Sequence, residues 1–144
     1  LFKDRVCILS KKDLTEKKSL DLCENLWRDL GSKIKFLDLK DHDKILASTS
    51  HLPHFIAFSL VKSLSNLDSD KIYSGGGLKD FTRIAASDVK MWKDIFSHNK
   101  DEILKAIEDF TQSVNLFRTQ IQQDDLDKIE KFIEEAKAFK EHKL

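Results

Sequence analysis

The stretch "SHLPHFIAFSLV", residues Ser50 to Val61, places two histidines and the single proline of the chain at the head of its most apolar run. Apolar residues recur at helical spacing on both sides of it, from Asp41 to Leu67. Pro53 removes one backbone donor and crowds the carbonyl group of Thr49. We therefore expect a long helix that kinks beside His51 and His54.

The helical spacing continues downstream to Leu144. The segment "YSGGGLKDFTRIAASD" (Tyr73 to Asp88) begins with a glycine run that permits positive φ angles and close approach of the backbone to another group. A short amphipathic helix is predicted after the glycines. Ser87 or Asp88 is expected to cap the next helix, and Asn99 with Glu102 resembles a capping box at the start of a long one.

Two long helices are predicted at the end of the chain, with a break at Asp124 and Asp125. The first carries an apolar seam whose members alternate at intervals of four and three: Ile103, Ile107, Phe110, Val114, Phe117 and Ile121. The second has a similar apolar pattern from Leu126 to Phe139. Such long seams in a small domain favour packing against a second copy of the chain, so we expect a homodimer.

The first 40 residues follow a different pattern. A buried strand at "RVCILS", a helix from Glu16 to Leu30 ended by Gly31, and an alternating strand at "KIKFLDL" form one β-α-β unit. Two strands do not make a stable sheet alone. We therefore interpret residues 1–40 as the edge of a larger α/β domain, followed by an all-helical domain at 41–144. The predicted fold class is mostly α.

Composition argues against some partners and indicates the cellular compartment. The chain has 25 basic and 25 acidic residues among 144, so no net field attracts it to nucleic acid or to an anionic membrane. Its longest apolar run is too short to cross a bilayer. Cys7 and Cys23 are expected to be reduced and packed, one on the strand and one on the apolar face of the helix, as in a cytoplasmic protein.

Several side chains have both a functional and a structural interpretation. His42, His51 and His54 could bind a metal, but the pair His51/His54 without a third carboxylate or thiolate favours hydrogen-bonded, structural histidines, and we expect no metal. Arg83 follows the glycine turn and is suited to a carboxylate or phosphate, or to an ion pair with Asp80. Trp92 alone would be taken as a core residue.

Three segments together resemble the C-terminal half of the prephenate dehydrogenases of tyrosine biosynthesis. They are "HDKILASTSHLPHFIAFSLV", "YSGGGLKDFTRIAASD" and "MWKDIFSHNKDEIL", in that order, and "LFKDRVCIL" resembles the end of the nucleotide-binding domain of such enzymes. The resemblance implies that residues 1–40 are the edge of a Rossmann-type nucleotide-binding domain. It also implies NAD-dependent oxidative decarboxylation of prephenate to 4-hydroxyphenylpyruvate. A related arogenate or cyclohexadienyl dehydrogenase is the alternative within the same fold.

The resemblance also implies roles for individual residues. Arg83 would bind a substrate carboxylate and His54 would contact the substrate, with His51 and Ser50 lining or supporting the pocket. The remaining three would act around them, Asp80 by orienting the arginine, Gly76 by close backbone approach and Trp92 as a wall: the implied substrate-binding set is Ser50, His51, His54, Gly76, Asp80, Arg83 and Trp92.

The family's nucleotide-binding fingerprint and its catalytic histidine have no counterpart in this sequence. NAD would therefore be bound mainly by a preceding domain, no catalytic residue is assigned here, and the chain alone should be inactive. A different class of function also fits: a non-catalytic regulatory dimer that binds tyrosine or a related aromatic acid. Tyrosine as a feedback inhibitor is a further expectation from the resemblance.

Overall fold

The computed structural model describes residues 1–10, 15–67 and 75–143. Within these ranges the chain is mostly helical, which confirms the predicted fold class. In chain order the elements are β1 (Val6–Leu9), α1 (Lys17–Asp29), β2 (Lys33–Phe36), α2 (Leu39–Leu46), α3 (Leu52–Leu64), α4 (Gly76–Thr82), α5 (Val89–His98), α6 (Lys100–Gln122) and α7 (Leu126–Lys143). A π-helical turn (Ala47–His51) joins α2 to α3, and a 3₁₀ turn (Arg83–Ala86) follows α4.

The predicted β-α-β unit is present. Strands β1 and β2 pair in parallel, with Val6 opposite Lys33 and Leu9 opposite Phe36. Helix α1 crosses between them and ends before Gly31, whose φ of 86° is the left-handed conformation that favours glycine after a helix. Strand β2 ends earlier than the sequence indicated, because Asp38 already caps α2 by accepting a hydrogen bond from the Asp41 N–H at 2.8 Å.

Within the described residues, most of the apolar face of α1 is uncovered. Leu22 is 70% exposed and Leu26 55% exposed. Cys23 is exposed and Cys7 is half-buried, so the expectation of two packed thiols is wrong. A sheet of two strands offers too little surface to cover a helix, which is the expected property of an edge taken from a larger α/β domain.

The predicted irregularity beside the histidines takes the form of the π-helical turn. Pro53 lies in the first turn of α3, where its missing N–H costs little. The wider π turn just before it lets the chain continue without a break, since a regular α-turn would bring the proline ring against the carbonyl group of Thr49. As a result His51 ends the π turn and His54 lies in the first turn of α3.

The glycine run does not use the positive φ angles that its residues permit. Gly75 has an extended conformation (φ −77°, ψ 173°) and precedes α4, which begins at Gly76. A Cβ atom on any of Gly75, Gly76 or Gly77 would meet nothing within 4 Å, so close packing among the described residues requires none of the three. Tyr73 and Ser74 of the same motif lie outside the described residues.

The chain divides into two compact units, residues 1–103 and 104–144. In the first, Ala47, Ala57 and Trp92 are among the buried core residues. In the second, Phe117 and Phe132 stack at 4.6 Å between ring centroids. The predicted break between the last two helices is confirmed, with Asp124 at a φ of 51°. The domain boundary near Lys40 stays a prediction.

No helix within the described ranges is long and apolar enough to cross a membrane.

Candidate functional site

His54 and Trp92 form the centre of an aromatic cluster between α3 and α5. Their rings stack at 3.8 Å between centroids, with 26° between the planes. Phe58 lies 6.0 Å and Phe96 5.6 Å from the Trp92 ring, again between centroids. Asp88 fixes the start of α5 by accepting a hydrogen bond from the Met91 N–H at 2.7 Å, which places Trp92 on the buried face. The cluster is therefore set by local signals in two helices.

The hydrogen bond of His54 defines which ring nitrogen carries its proton. Its Nδ1 lies 2.9 Å from the backbone carbonyl oxygen of Ser50, one helical turn earlier. A carbonyl oxygen can only accept, so Nδ1 is the donor and Nε2 of the neutral ring keeps a lone pair. The supporting contact from Ser50 thus comes from its backbone. His54 offers Nε2 as an acceptor to a ligand hydroxyl or N–H group.

His51 lies at the edge of the same cluster and is 9% exposed. Its ring meets Trp92 edge to face, at 6.1 Å between centroids. The pKa of His51 is lowered from 6.5, first by burial and then by the nearby His42 and His54, although Asp43 acts in the opposite direction. His51 is therefore neutral at neutral pH, as a buried structural or hydrogen-bonding imidazole should be.

Asn99 belongs to this site, and its sequence position did not indicate it. The sequence suggests only a helix cap, but the side-chain Nδ2 donates to the carbonyl oxygen of Asp43 at 2.8 Å and lies 3.3 Å from Nδ1 of His51. These contacts join the junction of α5 and α6 to α2 and to the π turn. They span about 50 positions of chain, so no local pattern could have revealed them.

The indole N–H of Trp92 has no hydrogen-bond acceptor among the described residues, although the side chain is only 5% exposed. Buried N–H groups in proteins are normally paired, with a protein group, a water molecule or a ligand. An acidic ligand at the cluster would supply acceptor oxygens. This orphan donor is therefore consistent with the predicted role of Trp92 near a binding site.

Arg83 is not held in place by Asp80. Its side chain is exposed on the 3₁₀ turn, Asp80 is exposed on α4, and within the described part of the chain no hydrogen bond or ion pair joins them. The turn that carries Arg83 packs on α3, the helix that carries His54. The predicted orienting role of Asp80 and the backbone role of Gly76 stay predictions.

A polar cleft of about 670 Å³ lies between α2 and the junction of α5 and α6. Its walls carry both signs of charge, from residues such as Lys44, Asp43, Lys100 and Asp101, and it shares Asn99 with the His51 contact. His54, Arg83 and Trp92 do not line it. The mixed charge gives this cleft no preference for an anion, so it is a poorer match to an acidic substrate than the aromatic cluster.

The metal interpretation of the histidines gains no support from their geometry. Nδ1 of His42 lies 3.0 Å from the carboxylate of Asp43, and Nδ1 of His54 is occupied by the Ser50 carbonyl group. Across residues 1–10, 15–67 and 75–143, no group of three or more His, Cys, Asp or Glu side chains is arranged to hold a metal ion.

Comparison with known proteins identifies the relatives of this chain. Residues 38–135 match the sequence model described as "Prephenate dehydrogenase, dimerization domain". The chain is 30% identical to a prephenate dehydrogenase of Bacillus subtilis (98% of this chain, 39% of the relative). It is 33% identical to a cyclohexadienyl dehydrogenase of Zymomonas mobilis (96% of this chain, 49% of the relative).

A solved structure shows the same architecture. Prephenate dehydrogenase from A. aeolicus, crystallised in complex with hydroxyphenyl propionate and NAD+, superposes with a TM-score of 0.88 and 37% identity, over 96% of this chain and 50% of that one. The chain thus spans about half of this structure and less than half of the two curated relatives. Because the family model covers well over half of its residues, the chain belongs to the family of prephenate dehydrogenase dimerization domains.

Proposed function

We propose that this chain is the dimerization and substrate-binding part of a prephenate dehydrogenase, which oxidises and decarboxylates prephenate to 4-hydroxyphenylpyruvate with NAD. The observation that carries the proposal is the stacked His54–Trp92 pair, in which His54 keeps its Nε2 free to accept a hydrogen bond. The relative crystallised with hydroxyphenyl propionate binds an aromatic acid of matching chemistry.

Prephenate has three groups that need a binding partner, and different residues of this chain can supply each one. Its ring hydroxyl needs an acceptor, which His54 Nε2 offers. Its carboxylates need cations or strong donors, and Arg83 is an exposed guanidinium on the turn that packs against α3. Its ring needs an apolar surface, which Trp92 and Phe58 supply.

The other implied residues act around this core. Ser50 holds the His54 ring through its carbonyl group, and His51 supports the cluster as a neutral imidazole. Gly76 leaves open space at the start of α4, where a ligand could approach the backbone. Asp80 would turn toward Arg83 once the guanidinium is fixed by a carboxylate, since the two lie three residues apart.

NAD fits another part of the enzyme better than this chain. A pyrophosphate site needs glycines at the turn from a strand into a helix. The segment from the end of β1 to the start of α1 has the sequence "SKKDLTE" and contains no glycine. We therefore assign NAD binding and the catalytic histidine to a nucleotide-binding part, and expect this chain alone to be inactive.

The homodimer is proposed to form through the long helices. Large apolar side chains of the second unit are strongly exposed, among them Val114 at 44%, Ile121 at 53% and Phe139 at 60%. A monomer would leave this surface in water. The family model that matches the chain describes a dimerization domain.

Charge placed on the seam of α6 tests the dimer. Val114→Asp and Ile121→Asp should each raise the dimer dissociation constant by about 100-fold or more, because a carboxylate would be buried without a partner. Analytical ultracentrifugation measures the constant. Asn115→Asp, which adds the same charge beside the seam on an exposed position, is the control. Dimers that tolerate both seam variants would place the interface elsewhere.

The activity is tested with the complete protein, in which this chain is joined to its nucleotide-binding part. NADH formation from prephenate and NAD+ should be seen for the complete protein and not for the 144-residue chain alone. A complete protein that leaves prephenate untouched would overturn the proposal.

Arogenate is the second candidate substrate, because one relative is a cyclohexadienyl dehydrogenase at 33% identity. The same assay with arogenate in place of prephenate ranks the two substrates by kcat/KM. Adding tyrosine to the assay tests the proposed feedback inhibition. A cytoplasmic location stays a prediction.

A further inference from the structure

Asn99 connects the junction of α5 and α6 to α2 and to the π turn that carries His51. It lies between α5 and α6. Its Nδ2 donates to the carbonyl oxygen of Asp43 in α2, at a distance of 2.8 Å. The same nitrogen lies 3.3 Å from Nδ1 of His51 in the π turn. Asn99 is half-buried and His51 is buried, so bulk water competes little for these contacts.

The chemistry of these partners fixes the direction of both hydrogen bonds. The Asp43 carbonyl oxygen can only accept, so the Asn99 atom that faces it must be the nitrogen. That NH₂ group has a second hydrogen, which is left for Nδ1 of His51. Nδ1 must then be the acceptor, and the proton of the neutral imidazole resides on Nε2.

We propose that Asn99 is a positioning residue that holds His51 as its Nε2–H tautomer, so that this ring presents a hydrogen-bond donor while His54 beside it presents an acceptor. The proposal rests on the proposed function in one respect: the donor is useful because the substrate carries acceptor oxygens. At 3.3 Å the contact is long for a hydrogen bond. Its effect is therefore on tautomer and ring orientation more than on stability.

The surroundings of His51 do not impose this tautomer by themselves. Its charged or titratable neighbours are His42 and Asp43 from α2 and His54 from α3, and Trp92 of α5 presents a ring. Within the described residues, the hydrogen bond recorded for the imidazole of His51 is the one from Asn99. Removing the Asn99 amide should therefore release the tautomer preference.

The test is the tautomeric state of His51, read from long-range proton–nitrogen spectra of the ¹⁵N-labelled 144-residue chain above pH 7, where the ring is neutral. The wild-type chain should show His51 with Nε2–H and His54 with Nδ1–H. Asn99→Leu, which has nearly the same size, should leave His51 in a mixture of both tautomers. Asn99→Asp should convert it to Nδ1–H, because a carboxylate can only accept, and should raise its pKa.

His54 is the internal control, because its Nδ1 donates to Ser50 and does not touch Asn99. An Asn115→Leu variant, altered in the second unit, should leave both spectra unchanged. The proposal is overturned if wild-type His51 carries its proton on Nδ1, or if neither Asn99 variant changes the tautomer. Should one variant fail to fold, the wild-type spectrum and the other variant still test the proposal, because a wild-type proton on Nδ1 would overturn it.

An activity arm separates this proposal from the proposed function. In the complete protein, Asn99→Leu should raise the KM for prephenate by about 3- to 10-fold, corresponding to about one lost neutral hydrogen bond. An unchanged KM would mean that the His51 donor does not serve substrate binding. If the complete protein has no activity on prephenate or arogenate, the proposed function fails, whereas the tautomer spectra still decide the role of Asn99.

Discussion

The two halves of the candidate site differ in how completely the chain builds them. His54 stacks on Trp92 and donates a hydrogen bond to the backbone of Ser50. His51 is held by the side-chain amide of Asn99. Arg83 extends from a 3₁₀ turn into solvent and has no ion pair with Asp80. The aromatic half is therefore organised by the chain itself, whereas the proposed cationic half would lose its side-chain freedom only on binding a carboxylate.

This difference predicts that mutations in the two halves change different quantities. A change in the aromatic half should reduce folding stability, because its side chains fill the core. A change at Arg83 should reduce ligand binding and leave stability nearly unaltered.

The largest expected effect is on Trp92. Trp92→Ala should lower the free energy of unfolding by about 3–5 kcal/mol, the usual cost of removing a buried tryptophan side chain. Urea unfolding of the 144-residue chain measures it. Trp92→Phe, which retains a ring beside His54, should lose clearly less. A small loss for the alanine variant would mean that the aromatic half is not part of the core.

Arg83→Ala should have the next largest effect, and on a different quantity. In the complete protein the KM for prephenate should rise by about 30- to 150-fold, equivalent to about 2–3 kcal/mol for a lost charged hydrogen bond. Arg83→Lys keeps the charge but lacks the planar guanidinium group, so its KM should lie between those of the wild-type and Arg83→Ala proteins. The free energy of unfolding should change by no more than about 0.5 kcal/mol, since the side chain is exposed.

Arg28→Ala is the matched control, because it also removes an exposed arginine, here one paired with Glu24 on α1. It should leave the KM unchanged. An Arg83→Ala enzyme with an unchanged KM would remove Arg83 from the binding site and leave the aromatic half without its cation.

The smallest effect concerns the pH dependence of stability. The pKa of His51 is lower in the folded chain than its ordinary value of 6.5, because burial disfavours the charged ring. Below pH 6.5 the unfolded chain binds a proton that the folded chain resists, so stability falls as the pH falls. One group can contribute a slope of at most about 1.4 kcal/mol per pH unit.

Substitution of histidines separates this contribution from the rest of the chain. His51→Gln should flatten the pH dependence of the unfolding free energy between pH 7 and about 5. His98→Gln, which removes an exposed histidine at the end of α5, should leave the slope as it is. Equal slopes for the wild-type and His51→Gln chains would show that His51 is protonated as readily in the folded chain as in the unfolded one.

Local signals in the sequence predicted the parts of the fold that short-range chemistry controls. Gly31 ends α1 with a left-handed φ, and Asp88 caps α5. Pro53 marks the irregular turn beside the histidines. Each of these effects acts within about one helical turn, so the residues themselves carry the information.

The features that the sequence did not predict have a different physical origin, since they depend on what lies beyond the local segment. Cys23 is exposed because the described residues leave most of the apolar face of α1 uncovered. The glycines before α4 permit positive φ angles, but the helix start that they form uses ordinary backbone angles. Asn99 directly precedes α6, where the sequence predicted a cap, but its side chain also bonds across about 50 positions to Asp43 and His51, and no local pattern indicated these contacts.

The central claim is that the imidazole of His54 and the guanidinium of Arg83 bind one aromatic acid together. A crystal structure of the complete protein with 4-hydroxyphenylpropionate tests it through two distances, from Nε2 of His54 to the ligand hydroxyl and from an Arg83 guanidinium to the ligand carboxylate. Both should be hydrogen bonds of about 2.7–3.2 Å. A ligand that reaches one of these side chains but not the other, or that binds away from Trp92, would contradict the account.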